Sequence, residues 1–173
     1  YKRQDIDYEV TITARKMWPV KASGKTGKPC VIMIPHMRSW SPEDPFLYDL
    51  HVRMGEDSVE SYFAMRKVEV KNDKEGMPRI FLNNEPYFEK GVLDQGYWPD
   101  GLYTPPCDEA MIYDIQKMKD LGFNMIRKHI KIEPQRWYYH CDRIGMLVWQ
   151  DMVNGGRDYN CLLYTSPSPR DCS

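Results

Sequence analysis

Three short groups of residues carry the chemistry this chain could do: Asp94-Gln95-Gly96-Tyr97-Trp98, Arg127-Lys128-His129 and Gln150-Asp151. A guanidinium offers a planar fork of donors suited to a carboxylate or to neighbouring hydroxyls, and an indole offers a flat apolar face on which a sugar ring can stack. An arginine taken out of water needs an anionic or multiply hydrogen-bonding partner, and Asp94 or Asp151 could supply it. The same residues would equally make a structural ion pair that ties strand ends together. His129 reads either as a site residue or as a satisfied core histidine. Trp98 reads either as a stacking platform or as a loop anchor, and Gln95 belongs with them by position. No Ser/His/Asp set, glycine-rich phosphate loop or His-x-x-x-His pair occurs, so acyl transfer, nucleotide binding and zinc chemistry have no support in the sequence.

The elements that must position these groups alternate between two periods. Tyr87 to Leu93 and Phe123 to Ile130 read as strands, and Met146 to Trp149 as a third, apolar throughout like a parallel strand buried on both faces. Between them, Met111, Ile112, Ile115, Met118 and Leu121 share one helical face, with Asp108 placed to cap its start and Gly122 to end it. Glu133-Pro134 opens a second helix, whose stripe is Trp137, Cys141 and Ile144 and whose stop is Gly145. Such a rhythm is that of the first third of a TIM (β/α)8 barrel, a fold that collects its polar residues at the carboxyl ends of its strands. In the second strand Met125, Arg127 and His129 share one parity and Ile126 and Ile130 the other. Arg127 and His129 are therefore expected to point into the barrel mouth.

The first 70 residues read differently. Ile6, Tyr8, Val10 and Ile12 alternate with polar residues, and Phe46, Tyr48, Leu50, Val52 and Met54 alternate with Leu47, Asp49, His51 and Arg53, the pattern of strands with one buried face. Turn chemistry at 23–29, 41–45 and 55–58 separates them. The expected organisation is a partial immunoglobulin-like β-sandwich over 1–72, cut at its N-terminus, then the beginning of the barrel over 77–160, with the polar run Lys71 to Gly76 as the boundary. Beyond Asn160, the Ser/Pro-rich run that starts at Cys161 resembles the translation of a sequencing adapter, so 161–173 is expected to be a non-native tail.

Composition bounds the partners. The 173 residues are 42% hydrophobic with 24 basic and 25 acidic side chains interspersed, which argues against a nucleic-acid footprint or a polybasic membrane surface. Of five cysteines, Cys30, Cys107 and Cys141 precede the tail, and three isolated thiols give neither a disulfide framework nor a metal pair. No metal or cofactor is expected.

Five segments in order carry a resemblance: Trp40-Ser41-Pro42-Glu43-Asp44-Pro45-Phe46-Leu47-Tyr48; Phe63-Ala64-Met65-Arg66-Lys67-Val68; Phe81 to Val92 with its Leu82-Asn83-Asn84-Glu85-Pro86; Leu121 to Arg127; and Trp137 to Met146. Together they resemble glycoside hydrolase family 2, the β-galactosidase, β-glucuronidase and β-mannosidase family. Asn84 stands where the family has glycine, and Trp149-Gln150-Asp151 is similar to its mannosidase-like branches. The resemblance implies a retaining β-glycosidase acting on O-glycosidic bonds, β-galactosidase-like, with a carbohydrate substrate and two catalytic glutamates on barrel strands outside this stretch. No catalytic residue is therefore named, and the 173-residue chain alone is expected to be inactive. Arg127 matches the family's second-strand active-site arginine; Asp94, Gln95, Trp98, His129 and Asp151 join it as candidate substrate-binding residues from geometry alone. The competing reading is a non-catalytic carbohydrate-binding or adhesion protein that keeps the sandwich and a decayed barrel.

Overall fold

The computed structural model describes residues 5–153, so the expected tail at 161–173 and the last residues of the 77–160 segment lie outside the described residues. The chain divides into two compact units, one running to Glu89 and including Asp142–Gly145, the other made of Lys90–Cys141 and the residues from Met146.

In the first unit, β1 (Asp7–Thr13), β2 (Val20–Lys25), β3 (Tyr48–Met54) and β4 (Asp57–Phe63) form an antiparallel sheet in the order β2-β1-β3-β4. Alternation puts Val10, Ile12 and Tyr48 on one face as its core, with Phe46, Leu50, Val52 and Phe63 packed against them. Tyr48 stacks on Phe63 at 5.1 Å, and its hydroxyl accepts the Arg38 N–H at 2.8 Å, so the ring is buried without stranding its polar end. Sequence reading placed a turn at 23–29, yet β2 continues to Lys25. Gly24 lies opposite Tyr8 in the ladder, and a Cβ there would stand 2.5 Å from the Tyr8 hydroxyl, so this glycine makes room for a cross-strand ring. Trp40 is fully buried and its indole donates to the Asp142 carbonyl at 2.7 Å, while the Asp142 carboxylate accepts from Tyr62 and Arg66 at 3.0 and 2.8 Å.

A second antiparallel sheet of this unit joins β5 (Val68–Asn72), β6 (Pro78–Leu82) and β7 (Glu85–Pro86). The polar run at 71–76, read from sequence as a domain boundary, ends β5 and makes the turn into β6. Asp73 organises it by accepting from the Glu75 and Met77 N–H groups, both at 2.9 Å, and from Arg79 at 3.0 Å. The compact units divide later, at Glu89 and Lys90. Asn83 and Asn84 both sit at positive φ, 52° and 73°, in the two-residue turn between β6 and β7, a conformation asparagine adopts at little cost.

The second unit holds β8 (Gly91–Asp94), α1 (Asp108–Asp120), β9 (Met125–Lys128), α2 (Gln135–Ile144) as far as Cys141, and β10 (Leu147–Gln150). The strands are parallel in the order β10-β9-β8. Met111 and Ile115 of α1, Ile126 of β9, and Trp137 and Cys141 of α2 are buried. The third strand is not covered on both faces, since Trp149 remains 47% exposed. Asp108 is the first helical residue of α1 rather than its cap. Cys107 occupies the cap position without a side-chain cap bond, and the Asp108 carboxylate turns instead to Arg136 at 3.0 Å and His140 at 3.4 Å. No helix among the described residues is long and apolar enough to cross a membrane.

Candidate functional site

Strand β9 delivers charge to both faces of the parallel sheet. Register aligns Leu93, Arg127 and Trp149 in one row on the open face and Asp94, Lys128 and Gln150 in the next row. Arg127 makes the forked contact its shape favours, with Nε and Nη2 donating to the two oxygens of Asp151 at 3.0 and 3.1 Å. The guanidinium holds the Asp151 carboxyl below the usual carboxylate range, helped by the Ile130 N–H and the nearby His129. Ile130 is at φ 54°, a left-handed conformation that a β-branched residue adopts only under constraint. Strain of that kind gathers at sites the surrounding structure over-determines.

On the opposite side Lys128 is buried to 1% exposure, its ammonium lying 4.3 Å above the Trp137 ring. It donates to Asp94 at 2.5 Å and to Glu133 Oε1 at 2.8 Å, and Lys131 reaches the same Glu133 oxygen at 2.8 Å. The second oxygen of Glu133 is buried and has no hydrogen-bond partner among the described residues. Two cations and two carboxylates thus neutralise one another beneath the strand ends, the arrangement buried charges require.

The segment after β8 is fastened to this cluster. Gly96 donates to Asp94 Oδ1 at 2.7 Å and its carbonyl accepts from Lys131 at 2.7 Å. Its φ is +67°, and a Cβ would meet Glu133 Oε1 at 2.5 Å and the Lys131 ammonium at 2.8 Å, so only glycine fits. From there the chain folds into a small hairpin closed by two backbone bonds between Trp98 and Leu102, at 2.7 and 2.9 Å. Trp98 is partly buried and its indole nitrogen is enclosed without a partner among the described residues. The rings left in the open are Tyr97 and Tyr103, each 58% exposed.

Of the sequence candidates, the structure joins Arg127 to Asp151 and separates Asp94 from them, giving it to Lys128. His129 is partly buried, its N–H bonded to the Asp94 carbonyl at 2.9 Å, and Gln95 is exposed. The sequence places Lys128 in the Arg127-Lys128-His129 group without a role of its own and does not single out Lys131 or Glu133. Their buried ion pairing depends on which strand face the helices cover, although a Lys-x-x-Lys-x-Glu spacing at a strand end was a usable signal. Among the described residues no group of three or more His, Cys, Asp and Glu is arranged to hold a metal.

Comparison with known proteins bears on which fold family positions this site. The pattern of Glycosyl hydrolases family 2 matches residues 2–66. A β-galactosidase of Leuconostoc mesenteroides is 34% identical over 116 residues, covering 63% of this chain and 10% of its own length. The chain belongs to glycosyl hydrolases family 2. A putative β-glucuronidase of Formosa agariphila is 30% identical over 122 residues, 67% of this family 2 chain and 11% of the relative. The chain therefore spans about a tenth of the length of the curated relatives it matches. Among solved structures, the β-D-glucuronidase of Dictyoglomus thermophilum superposes with a TM-score of 0.75 at 18% identity, over 90% of the family 2 chain and 27% of that structure, a likeness of fold alone. A family 2 β-galacturonidase of Eisenbergiella tayi superposes at 0.67 with 25% identity, over 86% of the chain and 27% of that structure.

Proposed function

We propose that this chain is the entry portion of a retaining β-glycosidase. In this reading an immunoglobulin-like sandwich, expected over 1–72, precedes a TIM (β/α)8 barrel whose first strand is β8, and the two catalytic glutamates lie in sequence outside the chain. The observation that carries the proposal is the forked Arg127–Asp151 pair at the carboxyl ends of adjacent parallel strands, on the sheet face that also presents Trp149. A barrel mouth needs such a group: donors fixed in place before substrate arrives, beside an aromatic face. The substrate is a β-linked carbohydrate, and the names of the sequence relatives favour a galactoside.

The carboxylates in hand are not suited to the acid step. Retention requires one carboxyl that keeps a proton to donate to the leaving oxygen and a second, about 5 Å away, that attacks the anomeric carbon. Asp151 is held ionised by Arg127, and Asp94 is committed to Lys128 and the Gly96 N–H. Their role in this reading is to orient: Asp151 keeps the guanidinium aimed, and Arg127 bonds a sugar hydroxyl or supports the ionised nucleophile as charge develops. Gln95, Trp98 and His129 follow the strand ends as candidate substrate contacts, while Asp94, proposed from sequence for the same role, serves the ion cluster on the other face.

The test is hydrolysis of aryl β-galactosides, β-glucuronides and β-mannosides by the full-length protein, with the anomer formed first identified by NMR. Turnover with retention supports the proposal, and Arg127→Lys should lower kcat/KM about 100-fold while leaving the melting temperature nearly unchanged, because lysine keeps the charge but not the fork. The 173-residue chain should show no turnover. If the full-length protein hydrolyses none of these glycosides, the reading fails and a carbohydrate-binding role takes its place.

A further inference from the structure

We propose that Tyr97 and Tyr103 form a preorganised stacking surface for a pyranose ring of the substrate beyond the one being cleaved. The inference rests on the glycosidase reading for its ligand class and on the hairpin for its geometry. The two rings lie 4.8 Å apart, tilted at 47°, and their hydroxyls share a hydrogen bond of 2.6 Å. Burial does not hold them there, since both remain 58% exposed.

They are held by the framework beneath. The Trp98–Leu102 bridge closes the hairpin, Leu102 taking a left-handed φ of 53° to do so, and this sets Tyr97 and Tyr103 side by side at its base. Gly96 pins the near end to Asp94 and Lys131, and the Lys131 ammonium also lies 5.7 Å from the Tyr103 ring centre. Ordering two rotamer-rich aromatic side chains while leaving them in water costs entropy and returns little to the fold. A ligand that meets surfaces already in place does not bear that cost again on binding. Flat apolar rings edged by hydroxyls match a pyranose, which has an apolar face of C–H groups and a polar rim. The hairpin follows directly on β8, so the surface stands at the carboxyl end of the parallel sheet, in line with a chain of sugars leaving the mouth. Hydrogen bonding to Tyr103 raises the Tyr97 pKa above its ordinary value, so this hydroxyl keeps its proton beside an uncharged sugar.

The experiment measures dissociation constants of thio-linked β-disaccharides of galactose and of glucuronic acid, which resist hydrolysis, on the full-length protein. Tyr97→Ala and Tyr103→Ala should each weaken binding of at least one disaccharide about 10-fold, the size expected when one aromatic ring is taken from beneath a stacked sugar. The double Tyr97→Phe/Tyr103→Phe variant keeps both rings and should stay within about 3-fold of the unaltered protein. Absence of binding by the unaltered protein, or equal binding by the alanine variants, overturns the inference. So does equal loss in the alanine and phenylalanine variants, because the rings would then not be what the sugar touches. Aryl glycoside turnover by the same preparations reports separately on the glycosidase reading. Ring-dependent binding without turnover keeps the tyrosine pair as a sugar-stacking surface but removes the glycosidase reading and the ring's place beside a cleaved one, whereas turnover with ring-independent binding removes the stacking surface alone.

Discussion

Glu133→Gln removes one negative charge from a place where two ammonium groups share a single oxygen. Both Lys128 and Lys131 sit 2.8 Å from Glu133 Oε1, and the Glu133 and Lys128 side chains are each 1% exposed. Two cations each 2.8 Å from one oxygen lie at most about 5.6 Å apart, and at an effective dielectric near 20 their repulsion is then at least about 3 kcal/mol once the anion between them is gone. Asp94 still offsets Lys128, and the glutamine carbonyl still accepts one hydrogen bond, so the loss falls at the low end of the roughly 3–5 kcal/mol expected when one partner of a buried pair is removed. Hydrogen exchange on the full-length protein reads this locally, because β9 lies between β8 and β10 and its amides open with the cluster. Protection of the β9 amides should fall about 100-fold. Lys131→Met should cost less, since Glu133 keeps Lys128 and no cation is left unpaired. Protection in Glu133→Gln within about twofold of the unaltered protein, or a larger loss in Lys131→Met, would refute the claim that this carboxylate neutralises both lysines.

Two further outcomes follow from the same region. Gly96→Ala should lower the melting temperature and increase hydrogen exchange through 95–104, because the new methyl group meets Glu133 and Lys131 at 2.5 and 2.8 Å in a backbone conformation alanine resists; unchanged exchange there would refute the packing argument. Asp114 has its pKa raised, first by burial and then by Asp94, so the fold holds its proton to higher pH than the unfolded chain does and loses stability as pH rises through that window. At pH above the ordinary carboxylate range Asp114→Asn should therefore raise the melting temperature, a stability gain of no more than about 0.5 kcal/mol given the residue's exposure, and it should match the unaltered protein at lower pH. A gain that persists in acid would show that charge is not the cause.

Local chemistry made part of this molecule legible in the chain itself. Alternation along Val10, Ile12 and Tyr48 identifies a buried sheet face, and Gly122 and Gly145, at φ +90° and +87°, end two helices where a side chain would resist the turn. Asn83-Asn84 is equally local, because a two-residue turn asks only for residues that tolerate positive φ. Partnership across strands was decided elsewhere. Asp94 and Asp151 were equal candidates for Arg127 in the sequence, since residue spacing does not reveal the register between strands distant along the chain. Parallel pairing sets Asp94 opposite Lys128, where the two side chains share a face, and leaves Asp151 to close on Arg127. The same limit hid the hairpin at 71–76 behind a flexible composition, and it hid Gly24 behind a turn-like one, its role depending on a tyrosine in the neighbouring strand. Trp98 drew notice by residue type, but it is the fold that tucks its indole inward and turns Tyr97 and Tyr103 to the solvent. Periodicity is a property of neighbours in the chain, whereas ion pairing, glycine packing and ring exposure depend on which surfaces tertiary contact closes.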